Sequence, residues 1–144
     1  LKGTPLEGVV KKYTIIKRNG VKIGLFALDP KLEGLVSKVN YGIIKYLDPV
    51  AVANEMATML KKDKRCDLVI CIFHLGWEEK GMGDQMMIAG SRNIDIVLGG
   101  HSHTYFKTLH YVKNLDGKDI PVDQNGKNAI YVGKMVLDFT QSKK

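Results

Sequence analysis

Three of the four histidines in this chain of 144 residues stand just past the ends of short apolar runs. His74 follows Leu68 to Phe73, and His101 and His103 follow Ile94 to Leu98 across Gly99-Gly100. Neutral imidazole is the commonest side-chain metal ligand, so the chemistry these positions could do is metal binding. In an extended segment residues two apart project the same way, and His101 and His103 are expected to point together. Gly99 and Gly100 permit turns and close approaches that a side chain would block. Each motif by itself has an ordinary alternative: a satisfied core histidine for His74, a surface loop for His-Ser-His. Two such motifs at matching strand ends favour the functional reading.

The elements that must position them follow from the same stretch. Both apolar runs are short, β-rich and bounded by turn signals, as buried strands are. Asp84 to Ser91 between them is expected to form a short helix. Strand, crossover and strand make a βαβ unit whose strands run parallel and adjacent. Their C-terminal ends then emerge about 4.8 Å apart, at the edge where open α/β sheets bind ligands. A metal ion could fill the gap between His74 and the His101–His103 loop.

Phe73-His74-Leu-Gly, then Asp84, then Ile94-Asp-Ile-Val-Leu-Gly-Gly-His-Ser-His-Thr104 resembles the calcineurin-like metallophosphoesterases, in the branch of the 5′-nucleotidases and UDP-sugar hydrolases. Looser counterparts extend to Asn19–Leu28 and Gln124–Lys134. The resemblance implies an α/β (α+β) fold, half of a four-layer α/β/β/α sandwich. Residues 1–144 would be the second half of a catalytic domain whose first half lies outside this chain. It also implies two divalent ions (zinc, manganese, iron or similar), with His74 and His101 serving one and His103 the other. The substrate would be a small phosphoester, and in this branch a nucleotide.

Two dications held by imidazoles alone leave about four positive charges uncompensated, and two-metal phosphatases place their ions about 3.5–4 Å apart. Carboxylates are therefore needed. The resembled family takes them from Asp-x-His, Gly-Asp and Gly-Asn-His-Glu motifs, the last also supplying the general-acid histidine. None of the three precedes His74 here. Asp67 and Asp95 precede their strands, at the far end of the sheet. Asp84 is read as a helix N-cap and not as a ligand. Three readings stand: a hydrolase half whose other ligands lie upstream, a non-catalytic metal- or phosphate-binding relative, and a single-metal zinc hydrolase with three histidines and an open water position.

Length suits one domain with a core, and 44% hydrophobic residues exclude disorder as the starting expectation. The net charge of +7 suits an anionic partner. The lysines are scattered rather than gathered into a stripe, so nucleic acid is not the expected partner. Cys66 and Cys71, about 16 Å apart if they share a strand, are beyond disulfide reach and read as inert buried thiols. No run approaches the roughly 20 apolar residues of a membrane span, and no signal peptide is visible. The chain opens on Leu1 rather than Met, as a processed product or a piece of something longer would.

Elsewhere, Tyr13–Lys17 and Val21–Leu28 flank Asn19-Gly20, a hairpin signature, and Lys31–Lys45 reads as a loop. Asp48-Pro49 opens a helix whose expected apolar face is Val52, Met56, Met59 and Leu60. Lys61, Lys62 and Lys64 follow at its C-terminal end, suited to the dipole. Trp77 begins a charged passage and is expected either to wall a pocket or to pack half-buried. Thr104–Val112 reads as a strand in which His110 has no ligand role. Ile120–Val122 and Ala129–Phe139 are further strand candidates, and Gln141–Lys144 a polar tail at a domain end.

Overall fold

The computed structural model describes residues 1–78 and 81–140; the polar tail expected at 141–144 lies outside the described residues. The chain opens into a hairpin of β1 (Thr14–Arg18) and β2 (Val21–Leu28), paired antiparallel from Thr14↔Leu25 to Arg18↔Val21. Asn19 and Gly20 both take positive φ, 48° and 83°, the two left-handed residues that a type I′ turn requires. The segment read as a loop holds one short helix, α1 (Lys38–Tyr41). Then α2 (Pro49–Thr58) begins as expected, with Asp48 Oδ1 accepting from the Ala51 N–H at 2.7 Å and Pro49 in its first turn. It continues into a π-helical turn, Met59–Asp63.

The expected βαβ unit is present: β3 (Leu68–Phe73), α3 (Asp84–Ala89) and β4 (Ile96–Leu98), with the strands parallel and adjacent. Two further strands, β5 (His110–Lys113) and β6 (Asp119–Asp123), complete a mixed sheet in the order β1-β2-β3-β4-β6-β5. The four inner strands run parallel and the two outer ones antiparallel to their neighbours.

The core lies on one face of this sheet. Phe26, Cys71, Val97 and Val122 form a row across β2, β3, β4 and β6, all essentially inaccessible. Phe73, Met87, Ile88 and Leu60 join the same cluster. Truncating a side chain such as Phe73 to alanine would cost about 3–5 kcal/mol. Along α2 and the π-helical turn that continues it, Ala53, Ala57 and Leu60 are fully buried, whereas Val52, Met56 and Met59 are only partly buried. Small residues let the helix lie close to the sheet, where a Cβ on Gly24 would meet Leu60 Cδ2 at 3.0 Å. The bulky residues flank that contact.

The opposite face is open. Ile72 and Leu98, register partners, are 45% and 39% exposed, with exposed Ala27 beside them. Two strand expectations are corrected. Residues 104–109 make only an isolated bridge, Tyr105↔Asn125, before β5 starts at His110. Residues 129–139 form no strand, and Ile130, Val132 and Val136 stand more than two-thirds exposed. A β-prone sequence makes a strand only where a ladder partner is available.

Candidate functional site

His74 and His101 come together at the C-terminal ends of β3 and β4, their ring centroids 5.1 Å apart and their planes at 70°. His74 still takes part in the ladder, its N–H donating to Leu28 O at 2.9 Å. The opposing strand reaches it through Gly100, where a Cβ would lie 3.2 Å from His74 Nδ1 and 3.5 Å from Phe73 O. Closeness of backbone, not unusual φ, is what the glycine supplies.

The positive φ falls on the histidines themselves, 77° at His101 and 58° at His103. Ser102 N–H donates to Gly100 O at 3.1 Å, so His101 is the centre of a γ-turn of the rarer, strained kind. The expectation of an extended His-Ser-His is therefore corrected: the segment is a tight left-handed loop. Such backbone costs about 1–3 kcal/mol per residue and persists where its surroundings enforce it. His103 is exposed, and His101 half-buried.

The enforcing contacts converge on Ser102. Its Oγ accepts from the Trp77 N–H at 3.0 Å and donates to Gln124 Oε1 at 3.2 Å. One hydroxyl proton is then used, so the Thr104 hydroxyl at 2.8 Å must donate to it. Gln124 Nε2 donates in turn to Asp84 Oδ2 at 2.6 Å. Asp84 closes the circuit through its backbone, its N–H donating to Gly76 O at 2.7 Å.

Asp84 departs from its expected role. The N-cap of α3 is Gly83, and the Asp84 carboxylate turns inward, fully buried. Its Oδ1 has no hydrogen-bond partner among the described residues. Burial raises the carboxyl to about 6, with the bond from Gln124 pulling the other way. The same burial, with the Asp84 charge near it, pushes the Cys71 thiol up. Cys66 and Cys71 are both free and buried, as inert thiols are. Asp67 and Asp95 lie at the opposite end of the sheet: Lys22 N–H donates to Asp67 Oδ2, and Val69 N–H to Asp95 Oδ2.

Trp77 packs half-buried. Its ring meets Phe106 edge-on at 4.9 Å and His110 at 5.8 Å, while Phe106 and His110 stack at 3.9 Å. His110 Nδ1 lies 2.9 Å from Thr108 O. This histidine belongs to the aromatic cluster and not to the His74–His101 pair.

An imidazole nitrogen about 2.1 Å from a zinc ion sets its ring centre about 3.2 Å away, so two rings placed tetrahedrally lie about 5.3 Å apart. The observed centroid spacing of 5.1 Å is close to that distance. Among the described residues no group of three or more His, Cys, Asp or Glu could hold an ion. Gln124 entered the sequence argument only as the start of a loosely matched stretch and was given no role at the site, yet a signal existed. Ile120 and Val122 face inward from β6 and Gln124, just past its end, continues the alternation into the interior, where a polar residue must find partners.

The chain is 29% identical over 150 residues to a 5′-nucleotidase-related protein of Glossina morsitans morsitans, covering 94% of this chain and 26% of that protein. It superposes on the crystal structure of a 5′-nucleotidase precursor from Thermus thermophilus with a TM-score of 0.70 and 26% identity, over 83% of this chain and 25% of that one. It shares the fold of the calcineurin-like phosphoesterase YfkN of Bacillus subtilis at a TM-score of 0.60 and 23% identity, over 79% and 41%. No family model matches the chain. Over most of its length its relatives are 5′-nucleotidases and calcineurin-like phosphoesterases, at low identity. The chain spans about a quarter of the length of the curated relatives it matches.

Proposed function

We propose that this chain carries half of a two-ion phosphoester hydrolase centre acting on nucleotides, the remaining ligands being supplied by a segment outside it. The observation that carries this reading is the 5.1 Å separation of His74 and His101 at the ends of adjacent parallel strands. In it, His74 and His101 hold one ion and His103 the other. That division asks for only a pair at the first ion, in keeping with the lack of any group of three among the described residues. It is favoured over a single-ion, three-histidine site for the same reason.

Divalent ions bound there would polarise phosphoryl oxygens and make water nucleophilic at neutral pH. The chain's own contribution is orientation. His74 and His101 stand with their ring centroids 5.1 Å apart, and Gly100 leaves the space at His74 Nδ1 clear. Bridging carboxylates and the acid that protonates the leaving alkoxide come from elsewhere, since Asp84 is committed to Gln124. The open sheet face around Ile72 and Leu98 suits a second sheet packed across it. The nucleotide preference rests on the names of the relatives.

The test uses the full-length protein that contains this chain, with bound metal measured alongside phosphate release from a nucleoside monophosphate. His74→Ala and His101→Ala should each lower both by 10–100-fold or more, and His110→Ala should change neither by more than about twofold, being an aromatic packing residue. Equal losses at His110 and His101 would remove the assignment. Adding cyclic nucleotides and an aryl phosphate tests the substrate class, since turnover of the aryl phosphate alone would contradict the nucleotide preference.

A further inference from the structure

The two histidine loops belong to different segments, joined only through α3 and a passage of Gly and charged residues, yet their rings stand at a definite spacing. Strand pairing alone does not account for this. The β3–β4 register ends at Ile72↔Leu98, before either histidine. Beyond that point the His74 loop is tied to the His101 loop by a hydrogen-bonded circuit. Ser102 Oγ accepts from the Trp77 N–H, the Asp84 main-chain N–H donates to Gly76 O, and the Gln124 side chain links Ser102 Oγ to the Asp84 carboxylate.

We propose that Asp84, Gln124 and Ser102 form a buried clasp that fixes the His74 loop against the His101 loop and sets the imidazole spacing before any ion arrives. None of the three touches the ion in this reading; all are positioning residues, and the inference rests on the assignment of His74 and His101 as ligands.

Three observations support it. Asp84 and Gln124 are 0% and 1% exposed, so their bond is made where water does not compete. The orientation of the Gln124 amide is fixed by its neighbours, because its NH₂ faces a carboxylate oxygen and its carbonyl faces a hydroxyl that has a proton to give. Finally, the backbone is shaped to admit the clasp. A Cβ on Gly99 would lie 2.3 Å from Asp84 Oδ2 and 2.8 Å from Gln124. Gly99 is thus the gap through which the acidic residue reaches the underside of the His101 turn. The clasp also explains how the γ-turn at His101 is held, since the residue that follows it is anchored at three points.

The experiment compares Ser102→Ala, Ser102→Thr, Gln124→Ala and Asp84→Asn with wild type in the full-length protein. Metal-stripped samples are followed by amide hydrogen exchange over residues 74–78 and 99–104, and a Zn²⁺ titration follows. The Trp77 amide, whose acceptor is Ser102 Oγ, is the direct reporter. Ser102→Ala and Gln124→Ala should speed exchange there by tenfold or more and weaken Zn²⁺ binding by about 10–100-fold, with exchange in β2 and β3 unchanged. Ser102→Thr and Asp84→Asn, which keep a hydroxyl and an acceptor respectively, should restore both readouts to within about threefold. Ser102→Ala leaves the buried Asp84–Gln124 bond in place, so it remains informative if Gln124→Ala fails to fold. Wild-type exchange and affinity in Ser102→Ala would overturn the clasp while leaving the ligand assignment intact. Faster exchange in that variant, in a wild-type protein that takes up no Zn²⁺ at His74 and His101, would keep the clasp and overturn the ligand assignment.

Discussion

Gly99 and Asp84 are in closer contact than any side chain at position 99 would allow: a Cβ there would sit 2.3 Å from the buried carboxylate. At the next residue the corresponding approach, from Gly100 to His74 Nδ1, is 3.2 Å. The two glycines therefore answer to different neighbours, one immobile and one at the surface. Gly99→Ala should destabilise the protein by about 1–3 kcal/mol, the usual result of overpacking, because Asp84 has no room to withdraw. Gly100→Ala should cost under about 1 kcal/mol, as the exposed His74 ring can swing aside, and should act mainly on metal uptake. Thermal or urea unfolding beside a Zn²⁺ titration checks the contrast, and equal destabilisation by the two would contradict it.

Asp84 gives the protein a specific pH dependence. Its carboxyl, raised by burial to about 6, takes up a proton in the folded state more readily than an unfolded aspartate near pKa 3.9 does. The stabilisation from this uptake is fully present below about pH 4 and is lost as the pH rises through 6. Asp84→Asn abolishes that loss. The melting temperature of the Asn variant relative to wild type should therefore rise between about pH 4 and 6 and level off above. A constant difference across the range would mean that Asp84 does not titrate there.

Residues 1–144 expressed alone should not turn over a nucleoside monophosphate by a two-ion route, and should associate. Among the described residues the buried carboxylate is Asp84, which is bonded to Gln124. Meanwhile Ile72 and Leu98 leave apolar sheet surface in water. A phosphatase assay with Mn²⁺, Zn²⁺ or Co²⁺ beside the full-length protein, together with light scattering, tests both halves. Comparable turnover by the two, abolished in His101→Ala, would favour a single-ion site.

The elements with strong local signals were legible in the sequence. Asn19-Gly20 dictates a I′ hairpin, Asp48-Pro49 starts α2, and two β-rich runs around a short helix give the parallel βαβ unit. What was not legible depends on partners distant in sequence. The helical period in α2 marks both an alanine stripe and a bulkier one, and only the closeness of Leu60 to Gly24 selects the first. Residues 129–139 have strand composition but no neighbour to pair with among the described residues. At the site the sequence locates the histidines and the glycines, whereas the left-handed turn at His101 comes from bonds to Trp77, Thr104 and Gln124. Asp84 read locally is a cap; its burial against Gln124, 40 residues away, is a tertiary fact.

The antiparallel outer strands bear on the form any self-association takes. β1 ends in Lys17-Arg18 and β5 in Lys113, both strands are at most five residues long, and exposed charge lies along them. Short, cationic borders resist the addition of further strands. The open face carries no such protection. Contact through one patch repeated on each copy is isologous and closes at two subunits under a two-fold axis, whereas strand addition at an edge propagates without limit. Copies of the isolated chain should accordingly meet face to face, saturating as dimers rather than growing into fibres.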